Sequence, residues 1–164
     1  MAKFDGENLL DAVKAIMVNG LNAKVLEVEN EKIAQSKGLT PTLKQFGANS
    51  YFEQTWNAKI LNANPAIFYG IEDVQSTDGG GALGKVYQVF VEVVLVDNGM
   101  QNDNHKRIQR YSRALEELFL SADATIIPYA KIKVNQVRPI SFKLQLDSNE
   151  EIKVGGISIL IALV

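Results

Sequence analysis

Seven consecutive residues, Gly79-Gly80-Gly81-Ala82-Leu83-Gly84-Lys85, contain both a G-x-G-x-x-G pattern and most of a G-x-x-x-x-G-K phosphate loop. Such a loop works because its backbone amides cradle phosphate while a following helix aims its positive end at the ligand. Here Val86 stands where a Ser or Thr would hold magnesium, and Val86-Tyr87-Gln88-Val89-Phe90-Val91 is β-branched and aromatic at strand period. A dinucleotide fold would also need a βαβ unit around the glycines. The run therefore reads as a flexible hairpin tip. The single His, His105, stands beside Asp103 at a polar helix start. As a general base it would need an orienting acid and a nucleophile in hydrogen-bond reach, and no spacing marks either. It reads as a surface residue. The oxygen-rich run Asp97 to Asp103 has its Gly third, not sixth, and lacks a closing Glu, so it is not an EF-hand loop.

Arg107, Arg110 and Arg113 step by three along one helix, with Glu116 and Glu117 following. That spacing reads first as a solvated face of local ion pairs. The functional alternative is a basic strip for an inter-subunit or phosphate contact. Glu92, on a partly polar strand face, reads as facing a neighbour or water. With no Cys and one His, thiol catalysis, Cys-ligated zinc, disulfide frameworks and multi-His metal sites are excluded. The reading is a non-enzyme: no catalytic, cofactor-binding or metal-binding residue, and no cofactor.

These residues must be positioned by one domain, because 164 residues match the ordinary size of one. A chain this long buries a core without a disulfide or metal staple. A formal charge of -2 argues against a non-specific nucleic-acid binder, which carries a basic excess. No basic-then-apolar leader opens the sequence, and no apolar run approaches a membrane span. The expectation is a soluble cytosolic globular protein.

Leu9, Val13, Ile16, Met17, Leu21, Val25 and Val28 have helical spacing with a slip of phase near Gly20. This predicts a long helix over residues 6–28, kinked at Asn19-Gly20 and fraying from Glu27 to Lys32. The runner-up is a short strand at 24–28. Residues 36–64 hold no period and read as an irregular arm, long for a compact domain. The arm carries Tyr51, Phe52 and the only Trp, Trp56. Those aromatics must pack on their own domain or on a neighbour.

Alternation predicts strands over 66–74 and 86–96, joined as an antiparallel hairpin with its tip at 75–84. Tyr87, Val89, Val91, Val93 and Leu95 make one wholly apolar face of the second strand. Ile108, Tyr111, Leu115, Leu118 and Phe119 predict a helix over 104–121, with Asn102 or Asp103 as its cap. Strands follow at 131–139, at 140–146, and from Ile157 to Val164 after the Gly155-Gly156 pair. The last run ends apolar, so the C-terminus is expected inside a sheet. The sum is an α+β fold: a mostly antiparallel sheet of about five strands, two helices packed on it, and the arm.

Several stretches carry a likeness of the whole layout. They are Asn64-Pro65-Ala66-Ile67-Phe68-Tyr69, the strand from Val86 to Val93, the helix from Arg107 to Leu118, and the late strands around Val137-Arg138-Pro139 and Ile157 to Leu163. With the long N-terminal helix they resemble the tail terminator, or tail-completion, proteins of tailed bacteriophages. The resemblance covers nearly all of the chain, through pattern and not through a signature motif. It implies a ring, usually of six copies, on the finished end of the tail tube. There such a ring stops tube growth and supplies the surface that joins tail to head. Its partners would be further copies of itself, the tail tube protein, a neck or head-completion protein and, in contractile tails, the sheath. Membranes and sequence-specific nucleic acid are not among them. It would sit at the tail–neck junction of the virion, and in host cytoplasm before assembly.

A closed ring needs two different patches on each subunit. Tyr51, Phe52 and Trp56 of the arm, Asp78 and Lys85 at the hairpin tip, and Arg107, Arg110 and Arg113 are the candidate contacts. The alternatives are another virion component, such as a tail tube subunit or head–tail connector, and a small-ligand-binding protein or enzyme.

Overall fold

A computed structural model describes residues 6–40, 42–54, 64–76, 85–97, 103–121, 130–143 and 151–163. The elements run α1 (Gly6–Ala34), β1 (Tyr51–Phe52), β2 (Ala66–Ser76), β3 (Lys85–Asp97), α2 (Asn104–Leu120), β4 (Ala130–Lys143) and β5 (Glu151–Leu163). Across the sheet the order is β1-β2-β3-β5-β4. The β1–β2 contact is parallel and every other ladder is antiparallel, so the sheet is mixed. The fold is α+β, with two helices. It has four full strands where about five were expected, together with the two-residue β1.

The missing strand was lost to fusion. Residues expected as two strands, 131–139 and 140–146, begin as one continuous strand that runs through Pro139 to Lys143. Proline lacks a ladder donor, which suits an edge position, and β4 is the last strand of the sheet. The Gly155-Gly156 pair was expected to precede a strand, yet it lies inside β5. A Cβ on Gly155 would stand 2.8 Å from Ile108 Cγ1 and Ser112 Oγ of α2. On Gly156 a Cβ would collide with the Val91 carbonyl and stand 2.8 Å from Glu92 Cα. Both glycines mark close approach within the sheet and beneath a helix.

The first helix was expected to fray from Glu27 to Lys32, but it continues to Ala34. α1 is helical without interruption for 29 residues. At Gly20 α2 comes close, since a Cβ there would stand 2.7 Å from Leu118 Cδ1. The charged turn continues because Val25 and Val28 are buried and Glu29 is buried beside them. The helix ends in a Schellman arrangement, with Lys37 N–H donating to the Lys32 carbonyl and Ser36 N–H to that of Ile33. Ser36 occupies the left-handed position at φ 57°.

The β2–β3 hairpin has the expected antiparallel ladder, with Ile67 opposite Val93 and Tyr69 opposite Val91. A bulge falls between Ile71 and Asp73. β3 and β4 both run antiparallel to β5, which lies between them, so β3–α2–β4 is a split crossover. The final strand thus occupies the slot between β3 and β4, and the expected anchoring of the C-terminal run in the sheet is met.

Both helices cover one sheet face. Leu9, Val13, Met17 and Leu21 of α1 meet Ile108, Tyr111 and Leu115 of α2 over Tyr69, Val89, Val91, Val93, Ile159 and Ile161. Each large side chain sealed there contributes about 1.5–3 kcal/mol. The opposite face has its own smaller cluster of Ala66, Phe68, Val94, Ile152 and Val154.

Candidate functional site

α2 presents its arginines inward. Arg107 and Arg110 are 5% and 7% exposed, so the solvated face expected for this strip is largely buried. The reason lies on α1, which continues far enough to place two carboxylates opposite. Arg110 Nη1 donates to Glu29 Oε2 at 3.2 Å, and its Nη2 donates to the Lys37 carbonyl. Arg113 forks onto Glu31 at 2.6 and 3.0 Å, while its Nε donates to Glu117 at 2.7 Å. Arg107 Nη1 donates to Asn104 Oδ1 at 3.3 Å. The Arg113–Glu117 pair is a local i,i+4 contact of the kind that the spacing suggested.

The electrostatics follow from this geometry. The Arg113 guanidinium holds the Glu31 carboxyl below the usual carboxylate range, and Glu31 with Glu117 holds Arg113 still more firmly protonated. Burial pushes the Tyr111 phenol up; its hydroxyl donates to the Lys44 carbonyl at 2.7 Å. Burial, with lesser help from Glu53 and Asp11, pushes Tyr69 up to about 12.

Three side chains of the helices fasten the arm. Asn22 exchanges two hydrogen bonds with the Phe46 backbone, Tyr111 holds Lys44, and Arg110 holds Lys37. Leu39, Leu43 and Phe46 are buried. Phe46 packs edge-on against Tyr111 with ring centroids 5.2 Å apart. At the far end, Asn64 pairs through its amide with both backbone groups of Val96. Asparagine amides serve here as substitute strand partners.

The candidate contact residues are therefore distributed over unlike surroundings. Tyr51 is half-buried, its ring 6.2 Å from that of Phe46, and Phe52 stacks on Phe68 at 5.0 Å. Both aromatics pack on their own domain. Lys85 is exposed at the start of β3, opposite Ser76 in register. Trp56 and Asp78 lie outside the described residues. Lys85 is itself the first residue of β3, so a strand stands where a phosphate loop would need a helix. His105 is exposed and its Nε2 lies 3.2 Å from Gln109 Nε2; among the described residues no carboxylate pairs with it.

The sheet face away from the helices holds a cavity of about 360 Å³, lined by Ile71, Glu72, Phe90, Glu92, Gly156, Ile157 and Ser158. Two glycines shape it. Phe90 lies across Gly70, within 3.0 Å of where a Cβ would stand, and Gly156 leaves the strand bare. Gln88 Nε2 donates to Glu72 Oε2 at 2.9 Å and to Ser158 Oγ at 3.2 Å. The carboxylates and the aromatic ring suit a cationic or hydrogen-bond-donating group. No protein-family model matches the chain, and no curated protein matches it either.

Among the described residues, no group of three or more His, Cys, Asp and Glu is placed to hold a metal ion. None of the described helices is long and apolar enough to cross a membrane. Sequence reasoning missed the cavity and the arm fasteners. The cavity's signal was a glycine alternating into each of two strands beside Phe90. The fasteners had none, since Asn22 looks like any polar helix residue until the arm meets it.

Proposed function

We propose that the chain is a ring-forming structural protein that caps a phage tail tube, ends its growth and joins the tail to the neck. The observation that carries this reading is the layered order of elements: long helix, arm, hairpin, helix, then two paired strands, with both helices on one sheet face. That is the succession the tail terminator resemblance implies. The physics is compatible, because the helix layer and the part-exposed outer sheet face give each subunit unlike surfaces, as a head-to-tail ring requires. Among the described residues of the arm, Phe46 is tied to α1 by the hydrogen bonds its backbone makes with Asn22.

In this reading six copies close on the tube end. Their partners are each other, the tube protein, a neck or head-completion protein and, in a contractile tail, the sheath. The chain belongs to the tail–neck junction after assembly and to host cytoplasm before it.

The cavity beside Phe90 favours one second reading, a small-ligand protein, because its volume falls in the range of ligand sites. Native mass spectrometry over a range of protein concentrations, with negative-stain images of the same samples, separates the two. Closed six-membered rings that do not elongate are expected. Long tubes would point to a tube subunit. A strict monomer that also ignores purified tail tubes would overturn the proposal and leave the ligand reading.

A further inference from the structure

We propose that the two edges of the sheet join neighbouring copies, β4 of one pairing with the outer half of β2 of the next. This rests on the ring reading above and names the contact that would build it. β4 is 14 residues long and ends the sheet; it pairs with β5 on one side, and among the described residues no strand pairs with its other side. At the opposite edge β1 covers β2 only at Ile67 and Phe68. From Tyr69 to Ser76, β2 has no further strand beside it among the described residues, and Glu72 to Ser76 are exposed. Free edges of this length are templates for another strand.

Direction agrees with this joint. β2 opposes β3, β3 opposes β5 and β5 opposes β4, so β2 and β4 run in opposite senses within one copy. A copy placed alongside without flipping therefore offers an antiparallel ladder. Charge then selects among the possible joints. β4 carries Lys131, Lys133, Arg138 and Lys143 with no acid, whereas the free half of β2 carries Glu72 and Asp73 with no base. Pairing β4 with β4, or β2 with β2, sets like charges together and would stop at a two-fold dimer. Only the head-to-tail joint brings opposite signs together, and only that joint can close a ring. Lys131, Lys133 and Arg138 stand in register opposite Ala162, Leu160 and Gly156. Pro139 lacks a donor, which places the pairing on Ala130 to Arg138.

The test uses the full chain in three forms: Lys131→Glu with Lys133→Glu, Glu72→Lys with Asp73→Lys, and all four changes together. Each paired reversal should raise the concentration needed for rings by about tenfold or more, and the combination should restore them. Thermal melting of each variant checks that it folds. A second measurement needs no variant: amide exchange of wild-type residues 130–138 should slow when rings form. Rings insensitive to both reversals, a combination that stays monomeric while melting like wild type, or two-fold dimers would overturn the edge joint and leave the ring reading standing. Unchanged exchange of 130–138 between monomer and ring would do the same. A wild type that forms no ring, alone or on tail tubes, overturns the ring reading itself.

Discussion

Asn22 on α1 and Phe46 in the arm exchange two hydrogen bonds, the Asn22 amide donating to the Phe46 carbonyl at 2.9 Å and the Phe46 N–H to Asn22 Oδ1 at 2.8 Å. The pair behaves like one rung of a sheet placed between a helix and an irregular segment. It fixes the arm at Phe46, which is buried along with Leu43. Replacing Asn22 with Asp keeps the size and the acceptor but removes the donor. The Phe46 carbonyl then faces a carboxylate. We expect a loss of about 1–3 kcal/mol in denaturant unfolding. Amide exchange over residues 43–50 should quicken more than in β3. Equal exchange in variant and wild type would mean that the arm is held elsewhere.

The Glu29–Arg110 pair is a buried ion pair in the helix layer. The two side chains are 6% and 8% exposed, and among the described residues Glu29 Oε1 has no hydrogen-bond partner. A buried pair of this kind yields little net stability, but breaking it strands a charge. Arg110→Met alone should cost about 3–5 kcal/mol, and Glu29→Leu with Arg110→Met should recover most of it or exceed wild type. Chemical denaturation of both variants checks this. A double variant no more stable than the single one would show the pair to be worth more than its apolar replacement.

The adjacent glycines of β5 should respond unequally to alanine. At Gly155 the added carbon meets Ile108 Cγ1 and Ser112 Oγ, both side-chain atoms of α2. At Gly156 it meets backbone of β3, which cannot move without opening the β3–β5 ladder. Gly155→Ala should cost about 1–2 kcal/mol, at the lower end of overpacking, and Gly156→Ala about 3 kcal/mol or more. The ranking is read directly from two melting curves, and reversal of the order would refute the assignment of faces.

Alkaline pH should unfold the protein through its buried phenols. Burial raises Tyr69 from 10.0 to about 12 and raises Tyr111 as well. In that interval the folded state holds protons that the unfolded state has released, so stability falls as pH rises from 10 to about 12. Tyr69 alone accounts for a loss on the order of 2 kcal/mol. Phenolate absorbance and circular dichroism followed together should show Tyr69 and Tyr111 ionising with unfolding, not before it. Tyr69→Phe should flatten the decline.

The sheet and its helices were largely legible in the chain. Alternation marked β2 and β3 to within a few residues, and the stripe from Ile108 to Phe119 marked α2, because each element buries one face and the period records it. The arm's position was legible only as an absence of period. The strand count was misread at Pro139, since proline signals a break unless the strand lies at an edge. Edge position is set by which strands pair, and no local window contains that. The arginine strip failed for a related reason: its partners Glu29 and Glu31 are some eighty residues away on another helix.

By itself, then, the amino-acid order determined the amphipathic elements, the antiparallel hairpin and the lack of thiol chemistry, all of which depend on residues near one another. Tertiary structure decided the rest. It placed the last strand between β3 and β4, turned Arg110 inward, fastened the arm through Asn22, and left a basic and an acidic edge at opposite ends of the sheet. Each of those depends on groups brought together across long stretches of chain, where only the balance of burial, hydrogen bonding and charge in the folded protein selects the partner.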